Sequence, residues 1–158
     1  MNPYFINEPA VISFSGGRTS AYMLWRVLEA HNGVLPDYIV VTFANTGKEL
    51  PETLDFVHAC SVNWSVPIVW LERVITRNPE GSKRKYAYET AIVSYETASR
   101  NGEPFEALIK ARRYAPNPVA RFCTQDLKIK AIQQYLFKEL NFPKPYLCLI
   151  GIRADEER

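Results

Sequence analysis

Apolar positions along this chain fall into short runs that predict strands. The runs are rich in β-branched residues and end at polar or glycine-containing turns, which is typical of parallel strands covered on both faces. Four of them stand out: Ala10–Phe14, Tyr38–Ala44, Val66–Leu71 and Pro145–Ile152.

Helical spacing of apolar residues fills most of the gaps between these runs. One helix is predicted from Thr19 to His31, with Thr19 or Ser20 as its cap, and another begins at Pro51-Glu52-Thr53. A third is predicted over Gln125–Leu140. The alternation of strand and helix predicts an α/β fold with a parallel sheet and right-handed crossovers.

Residues 75–118 interrupt this alternation. The segment is polar and contains the basic run Lys83-Arg84-Lys85 close to several tyrosines. We expect one or two helices inserted after the third strand. Cations beside aromatic rings can bind nucleic acid, but a solvated helix face explains the same residues more simply.

Composition excludes several classes of protein. The chain has 158 residues, about one domain, and its 47% hydrophobic and 23% charged residues exclude disordered and coiled-coil chains. Its net charge of +2 gives no indication of wholesale nucleic-acid binding. No membrane helix or signal peptide is expected. The three cysteines are scattered and suggest neither disulfides nor a metal site, which favours a cytoplasmic location.

The turn after the first strand has the features of an anion-binding loop. Ser15-Gly16-Gly17-Arg18-Thr19-Ser20 joins that strand to a helix. Two glycines would permit strained backbone angles, and the N–H groups, the hydroxyls and Arg18 would then surround an anion at the helix N-terminus. A simple tight turn is the alternative. The Walker and dinucleotide-binding glycine patterns are both absent.

Three further segments carry candidate site residues. Asn45-Thr46-Gly47 ends the second strand, where open parallel sheets bind ligands, although a polar turn is the simpler explanation. Arg121-Phe122-Cys123-Thr124 with Lys128 could clamp a second anion, and Cys123 is either a structural or a redox thiol, with the structural role favoured. Arg153 follows the last strand. His31 and His58 lack partners at metal-ligand spacing and are expected on helix surfaces.

These motifs together resemble the phosphoadenosine phosphosulfate (PAPS) reductase family, within the PP-loop adenine nucleotide alpha hydrolases. The resemblance extends from residue 11 to residue 156. It rests on four segments in order: Ser13–Ser20, Phe43–Glu49, Arg121–Thr124 with Lys128, and Gly151–Glu156.

The resemblance implies a three-layer, Rossmann-like parallel sheet of the HUP type, forming one domain over residues 1–158. It implies that ATP or a related adenine nucleotide binds with Mg²⁺. The nucleotide-binding residues would be Ser15, Gly16, Gly17, Arg18, Thr19, Ser20, Phe43, Asn45, Thr46 and Gly47. Arg121, Lys128 and Arg153 would be catalytic and would contact the far anionic groups. The protein would act at the alpha phosphate, to activate a substrate or transfer sulfur.

Some departures from the family pattern leave other functions open. Many PP-loop enzymes that cleave ATP have Asp at the position of Thr19, and the second motif often begins with Asp where this chain has Asn45. The C-terminal Glu-Cys-Gly-Leu-His segment of true reductases is absent, and no iron–sulfur cluster is expected. The alternatives are a non-catalytic nucleotide sensor acting through a partner protein, and a sulfonucleotide reductase without its catalytic tail.

The predicted last strand runs directly into the charged residues Arg153–Arg158. We therefore expect that the C-terminal part of the family fold is absent, or that a partner protein or a second copy covers an open sheet edge.

Overall fold

The computed structural model describes residues 1–153 and shows an α/β fold. Its five-stranded sheet has the order β4-β3-β2-β1-β5. The strands are β1 Ala10–Ser13, β2 Ile39–Asn45, β3 Val69–Arg77, β4 Tyr86–Val93 and β5 Leu147–Ile150. Strand β1 pairs in parallel with both β2 and β5, whereas β4 is antiparallel to β3. The four predicted strands are therefore all present in a mostly parallel sheet.

The helices follow the predicted alternation. They are α1 Arg18–Ala30, α2 Pro51–Asn63, α3 Glu103–Arg112 and a fourth helical stretch, α4, at residues 124–139. In α4 an α-helical turn, Lys130–Gln134, lies between two π-helical segments, Thr124–Ile129 and Tyr135–Glu139. Proline in the first turn and Glu52 beside it favour the start of α2, as the sequence indicates.

The segment predicted to be a helical insertion is half β-structure. Strand β3 continues to Arg77, and β4 returns beside it with Trp70 opposite Val93 and Arg77 opposite Tyr86. Only α3 is helical between residues 75 and 118. The prediction of one or two helices was therefore right for one helix and wrong for the hairpin.

Contacts divide the chain into two compact units, where the sequence predicted one domain. Unit 1 contains Met1–Phe43, Leu50–Val69 and the described residues from Pro143 onward, and unit 2 contains Ala44–Glu49 and Trp70–Phe142. The apolar centre of unit 1 includes Val11, Ile12, Leu24, Leu54 and Val57, all with at most 1% of their surface exposed.

Unit 2 has its own core beside α3 and α4. Leu108, Phe122 and Leu127 are buried together there, and Ile75 and Tyr88 from the hairpin pack against them. Phe122, which lies in the third sequence motif, is thus a core residue.

His31 ends α1 inside unit 1 and is buried, so the expectation of a surface position was wrong. Its Nε2 accepts a hydrogen bond from the Ile6 N–H at 3.2 Å, and its ring stacks on Phe5. Among the described residues, no helix is long and apolar enough to cross a membrane.

Candidate functional site

The loop after β1 depends on glycine at position 16. Gly16 has φ +78°, and a Cβ there would lie 2.6 Å from Thr53 Cγ2 and 3.1 Å from Val57 Cγ2. Only glycine adopts this angle without strain and leaves room for α2. The loop is therefore held tightly against the first two turns of α2.

Gly17 has an ordinary backbone conformation, so the expectation of strained angles at both glycines was wrong for this residue. Its φ of −94° and ψ of 163° are ordinary extended values. A Cβ at Gly17 would meet only Ser15 Oγ, at 3.6 Å. Any residue can adopt this backbone conformation, so the turn does not require glycine at position 17. The absence of a side chain at Gly17 instead leaves open space beside the loop.

Ser20 is buried, and its hydroxyl stabilises the loop through three hydrogen bonds. Its Oγ donates to Gly17 O at 2.9 Å and accepts hydrogen bonds from the Ser15 N–H at 3.2 Å and the Ser15 Oγ at 3.0 Å. The hydroxyl at Ser20 is thus fully used in fixing the loop, and its role is to position the other groups.

The start of α1 is left without a side-chain cap. Gly17 is the N-cap residue, so the prediction of Thr19 or Ser20 as the cap was wrong, and the first turn contains no acidic residue. The first N–H groups of a helix have no intrahelical partners, and the helix dipole adds positive potential at the same place. Together with the exposed Arg18, this end of α1 is suited to an anion.

The end of β5 meets the same helix start. A Cβ at Gly151 would lie 2.7 Å from both the N and the Cα of Ser20, so this glycine is needed for the close approach. The first and the last sequence motifs, which are about 130 residues apart, are therefore in contact. Arg153 follows two residues later and is exposed. Asp155 and Glu156, the acidic residues of the fourth segment, lie outside the described residues.

This meeting point is a switch in strand order. From β1 the chain continues to β2 on one side, and it later returns to β5 on the other side of β1. Open α/β sheets bind ligands outside the carboxyl ends of strands at such a switch. The loop at Ser15–Ser20 and the segment Gly151–Arg153 occupy these ends of β1 and β5.

The second motif, in unit 2, is organised by Asn45, which has no exposed surface. Its Nδ2 donates to Glu72 Oε1 at 2.7 Å and to Ser99 O at 2.8 Å, and its Oδ1 accepts from the Gly47 N–H at 3.1 Å. Both amide protons and the carbonyl oxygen are thus engaged within the protein. Asn45 shapes its loop and in this arrangement offers no group to a ligand.

Glu72 is the residue that the sequence analysis missed. It is buried on β3, and it also accepts hydrogen bonds from the Ser99 N–H at 2.6 Å and the Ser99 Oγ at 2.8 Å. The sequence contains a signal for this role, since Glu72 directly follows the apolar run Val66–Leu71. An acidic residue that is buried in a strand is rarely without hydrogen-bonding partners.

The second and third motifs also meet inside unit 2. Thr46 Oγ1 donates to Glu49 Oε1 at 3.2 Å, and the Lys128 ammonium pairs with the same oxygen at 3.4 Å. Gly47 has φ +78°, and a Cβ there would lie 3.0 Å from the Cα of Gly102. Lys128 is thus part of an ion pair that ties α4 to the loop after β2.

The residues before α4 separate into surface and core. Arg121 is exposed, and its Nε donates to Pro118 O at 3.1 Å. Cys123 packs against the core cluster around Phe122, which supports the structural role favoured for this thiol. Burial raises the pKa of the Cys60 thiol. Over residues 1–153, no group of three His, Cys, Asp or Glu side chains could hold a metal ion.

Comparison with known proteins gives one relative without an assigned activity. The chain is similar to the uncharacterized nin region protein ORF290 of Escherichia phage lambda, with 35% identity over 150 residues. The match covers 94% of this chain and 49% of the phage protein, so the chain spans about half the length of the curated relative that it matches. No protein-family model matches the chain. No solved structure matches it.

Proposed function

We propose that this chain is a PAPS reductase-like PP-loop protein that binds an adenine nucleotide with its phosphates at Ser15–Ser20. One observation carries the proposal. The first and fourth motifs, distant in sequence, meet where Gly151 packs on Ser20, at the carboxyl ends of β1 and β5. A tight turn alone would explain the glycines of the loop, but it would not explain this convergence.

The loop supplies the groups that bind phosphate. The backbone N–H groups at the start of α1, which has no side-chain cap, would bind the phosphates, and Arg18 would add a fixed charge. Ser20 and Gly16 hold the loop in shape before a ligand arrives. Because the donors are already positioned, they stabilise negative charge without reorganisation.

The reaction we propose is substitution at the alpha phosphate. A nucleophile on the second substrate attacks phosphorus, the bond to the bridging oxygen breaks, and pyrophosphate leaves with that electron pair. Mg²⁺ bound to the phosphates would add positive charge as the leaving group departs. Arg153 follows the strand end that meets the loop, and we assign it to the anionic end of the nucleotide.

A nucleotide sensor without catalysis is the second candidate, and Asn45 favours it. A PP-loop enzyme with Asp at this position has a carboxylate available, whereas the Asn45 amide is neutral and fully hydrogen-bonded. The sensor would bind the nucleotide and pass the signal to a partner protein.

Radiolabelled ATP distinguishes these functions. Turnover to AMP and pyrophosphate supports the enzyme, and saturable binding without turnover supports the sensor. PAPS is tested in parallel as the alternative nucleotide. Failure of both nucleotides to bind, with the protein folded and Mg²⁺ present, would overturn the proposed function in both forms.

A further inference from the structure

Unit 2 contains a strongly cationic cavity of about 680 Å³ beside the β3–β4 hairpin and α4. Five cationic side chains line it: Arg73, Arg84, Arg112, Lys130 and Lys138. The two carboxylates in its wall are Glu89 and Asp126. None of these residues belongs to the motifs assigned to the nucleotide, and the inference does not rest on the proposed function.

The carboxylates are already neutralised by cations of the same wall. Asp126 pairs with Arg112 and with Lys130, and Glu89 pairs with Lys138 at 3.4 Å. Among the ion pairs of residues 1–153, none involves Arg73 or Arg84. The cavity therefore keeps an excess of positive charge.

Arg73 is the unusual member, since it is a buried cation held only by neutral groups. It is 7% exposed, and its Nη1 donates to Gln134 Oε1 at 2.8 Å and to Thr90 Oγ1 at 3.2 Å. Its guanidinium also lies over the Tyr88 ring, 5.6 Å from the centroid. Burial lowers its pKa, against the attraction of Asp126 and Glu89. Buried charges are normally paired, so this arrangement is costly without a counter-ion.

Two guanidinium N–H groups in the wall lack acceptors. The Nε atoms of Arg73 and Arg112 are buried and have no hydrogen-bond partner in the described chain. Buried donors are rarely left unsatisfied, and each unsatisfied one calls for an explanation. An oxyanion in the cavity would balance the excess charge and accept hydrogen bonds from the guanidinium groups that line it.

We propose that this cavity binds the phosphate group of a small phosphorylated molecule, with Arg73 and Arg112 as the main ligands. Guanidinium groups match the geometry of phosphate oxygens and bind them strongly. The cavity volume lies within the range of small-molecule sites, about 300–1,000 Å³. Tyr86 and Tyr88 in the wall offer apolar contact to the rest of the molecule. Two carboxylates in the wall disfavour an extended nucleic-acid backbone, which prefers a continuous basic surface.

The test uses the full chain labelled with ¹⁵N at the arginine Nε atoms and titrated with inorganic phosphate or AMP. The Nε signals of Arg73 and Arg112 are assigned by their disappearance in the variants Arg73→Gln and Arg112→Gln. Both signals should shift and saturate at millimolar ligand, because the phosphate binds beside both guanidinium groups. Arg73→Gln should weaken binding about tenfold or more.

Arg84→Gln and Arg77→Gln form a matched pair that avoids the buried network. Both arginines are exposed, but only Arg84 lines the cavity. Arg84→Gln should weaken binding about threefold to fivefold, and Arg77→Gln should leave it unchanged. Equal weakening in both variants, or no saturable shift with either ligand, would overturn the proposal. The proposal would also be overturned if a single-stranded oligonucleotide shifted the same signals and bound with about a hundredfold higher affinity than AMP.

Discussion

At residue scale, the choice between Asn and Asp at position 45 is set by Glu72. The Asn45 Nδ2 donates to the Glu72 carboxylate at 2.7 Å in a site with almost no solvent. Asp at this position would place two carboxylates against each other and would also face the Ser99 carbonyl. The neutral amide of Asn45 therefore fits the electrostatics of this buried site.

We predict that Asn45→Asp lowers the free energy of unfolding by about 3–5 kcal/mol at neutral pH. The like charges raise the pKa of the carboxylate pair, so the loss should shrink as falling pH adds a shared proton. Denaturant unfolding over a pH series measures this. The double variant Asn45→Asp/Glu72→Gln restores a donor and should recover most of the stability. Without recovery, the electrostatic explanation fails.

The two glycines of the loop predict opposite phenotypes. Gly16→Ala should lower the free energy of unfolding by about 1–3 kcal/mol, because its Cβ meets Thr53 at a positive φ. Gly17→Val should fold like the wild type, since its backbone is extended and nearly unobstructed, but its side chain should abolish nucleotide binding. Thermal melts and calorimetric titration with ATP separate the two effects. Unchanged ATP affinity in Gly17→Val would contradict a phosphate site at this loop.

At element scale, α3 and α4 are joined by a charge cluster around Asp126. Burial raises the pKa of this carboxyl, but hydrogen bonds from Lys130 and Arg112 outweigh burial and hold the pKa below its usual value. A lowered folded pKa stabilises the fold above the ordinary aspartate value, and this contribution is lost as pH falls below it.

We predict that Asp126→Asn lowers the free energy of unfolding by about 1.5–3 kcal/mol at neutral pH. The difference from the wild type should shrink as pH falls below about 4, where the carboxyl of the unfolded chain takes up its proton, and close below the lowered pKa of the folded carboxyl. Chemical unfolding at several pH values measures it. Glu139→Gln, at an exposed site near the end of α4, is the control and should show neither effect. A difference that is constant with pH would exclude the ion pairs as the cause.

The elements that the sequence predicted well are those with a strong apolar period. Strand β1 and helix α1 lie within a residue or two of their predicted bounds, because one face or both are buried. Strand β4 was missed because it is half-buried, with no clean alternation of buried and exposed positions, and follows a long polar turn. The π-helical turns of α4 were also missed, since an apolar period near 3.6 does not distinguish them from α-helix.

At the scale of the whole molecule, the sequence predicted motifs in order, and the structure groups them in pairs. The first and fourth meet in unit 1 through Gly151 and Ser20, and the second and third meet in unit 2 through Glu49 and Lys128. The first pairing can be predicted from the sequence, because the carboxyl ends of neighbouring parallel strands meet at one edge of the sheet. The second depends on a side-chain ion pair, and the cationic cavity depends on a hairpin, so neither could be predicted from spacing alone.

The assignment of Arg153 to the anionic end of the nucleotide is tested by comparing charged and uncharged ligands. Arg153→Ala should weaken binding of ATP or PAPS about ten- to a hundredfold, because a charge-assisted contact to phosphate contributes about 1.5–3 kcal/mol. Adenosine, which has no phosphate, should bind the variant and the wild type alike. Arg153 is exposed, so the melting temperature without ligand should hardly change.

Arg77→Ala, exposed at the end of β3 and outside every motif, is the control for Arg153→Ala and should retain full ATP affinity. An equal loss for adenosine and ATP in Arg153→Ala would show that this arginine does not act on the anion. A lower melting temperature of Arg153→Ala without ligand would instead make Arg153 structural.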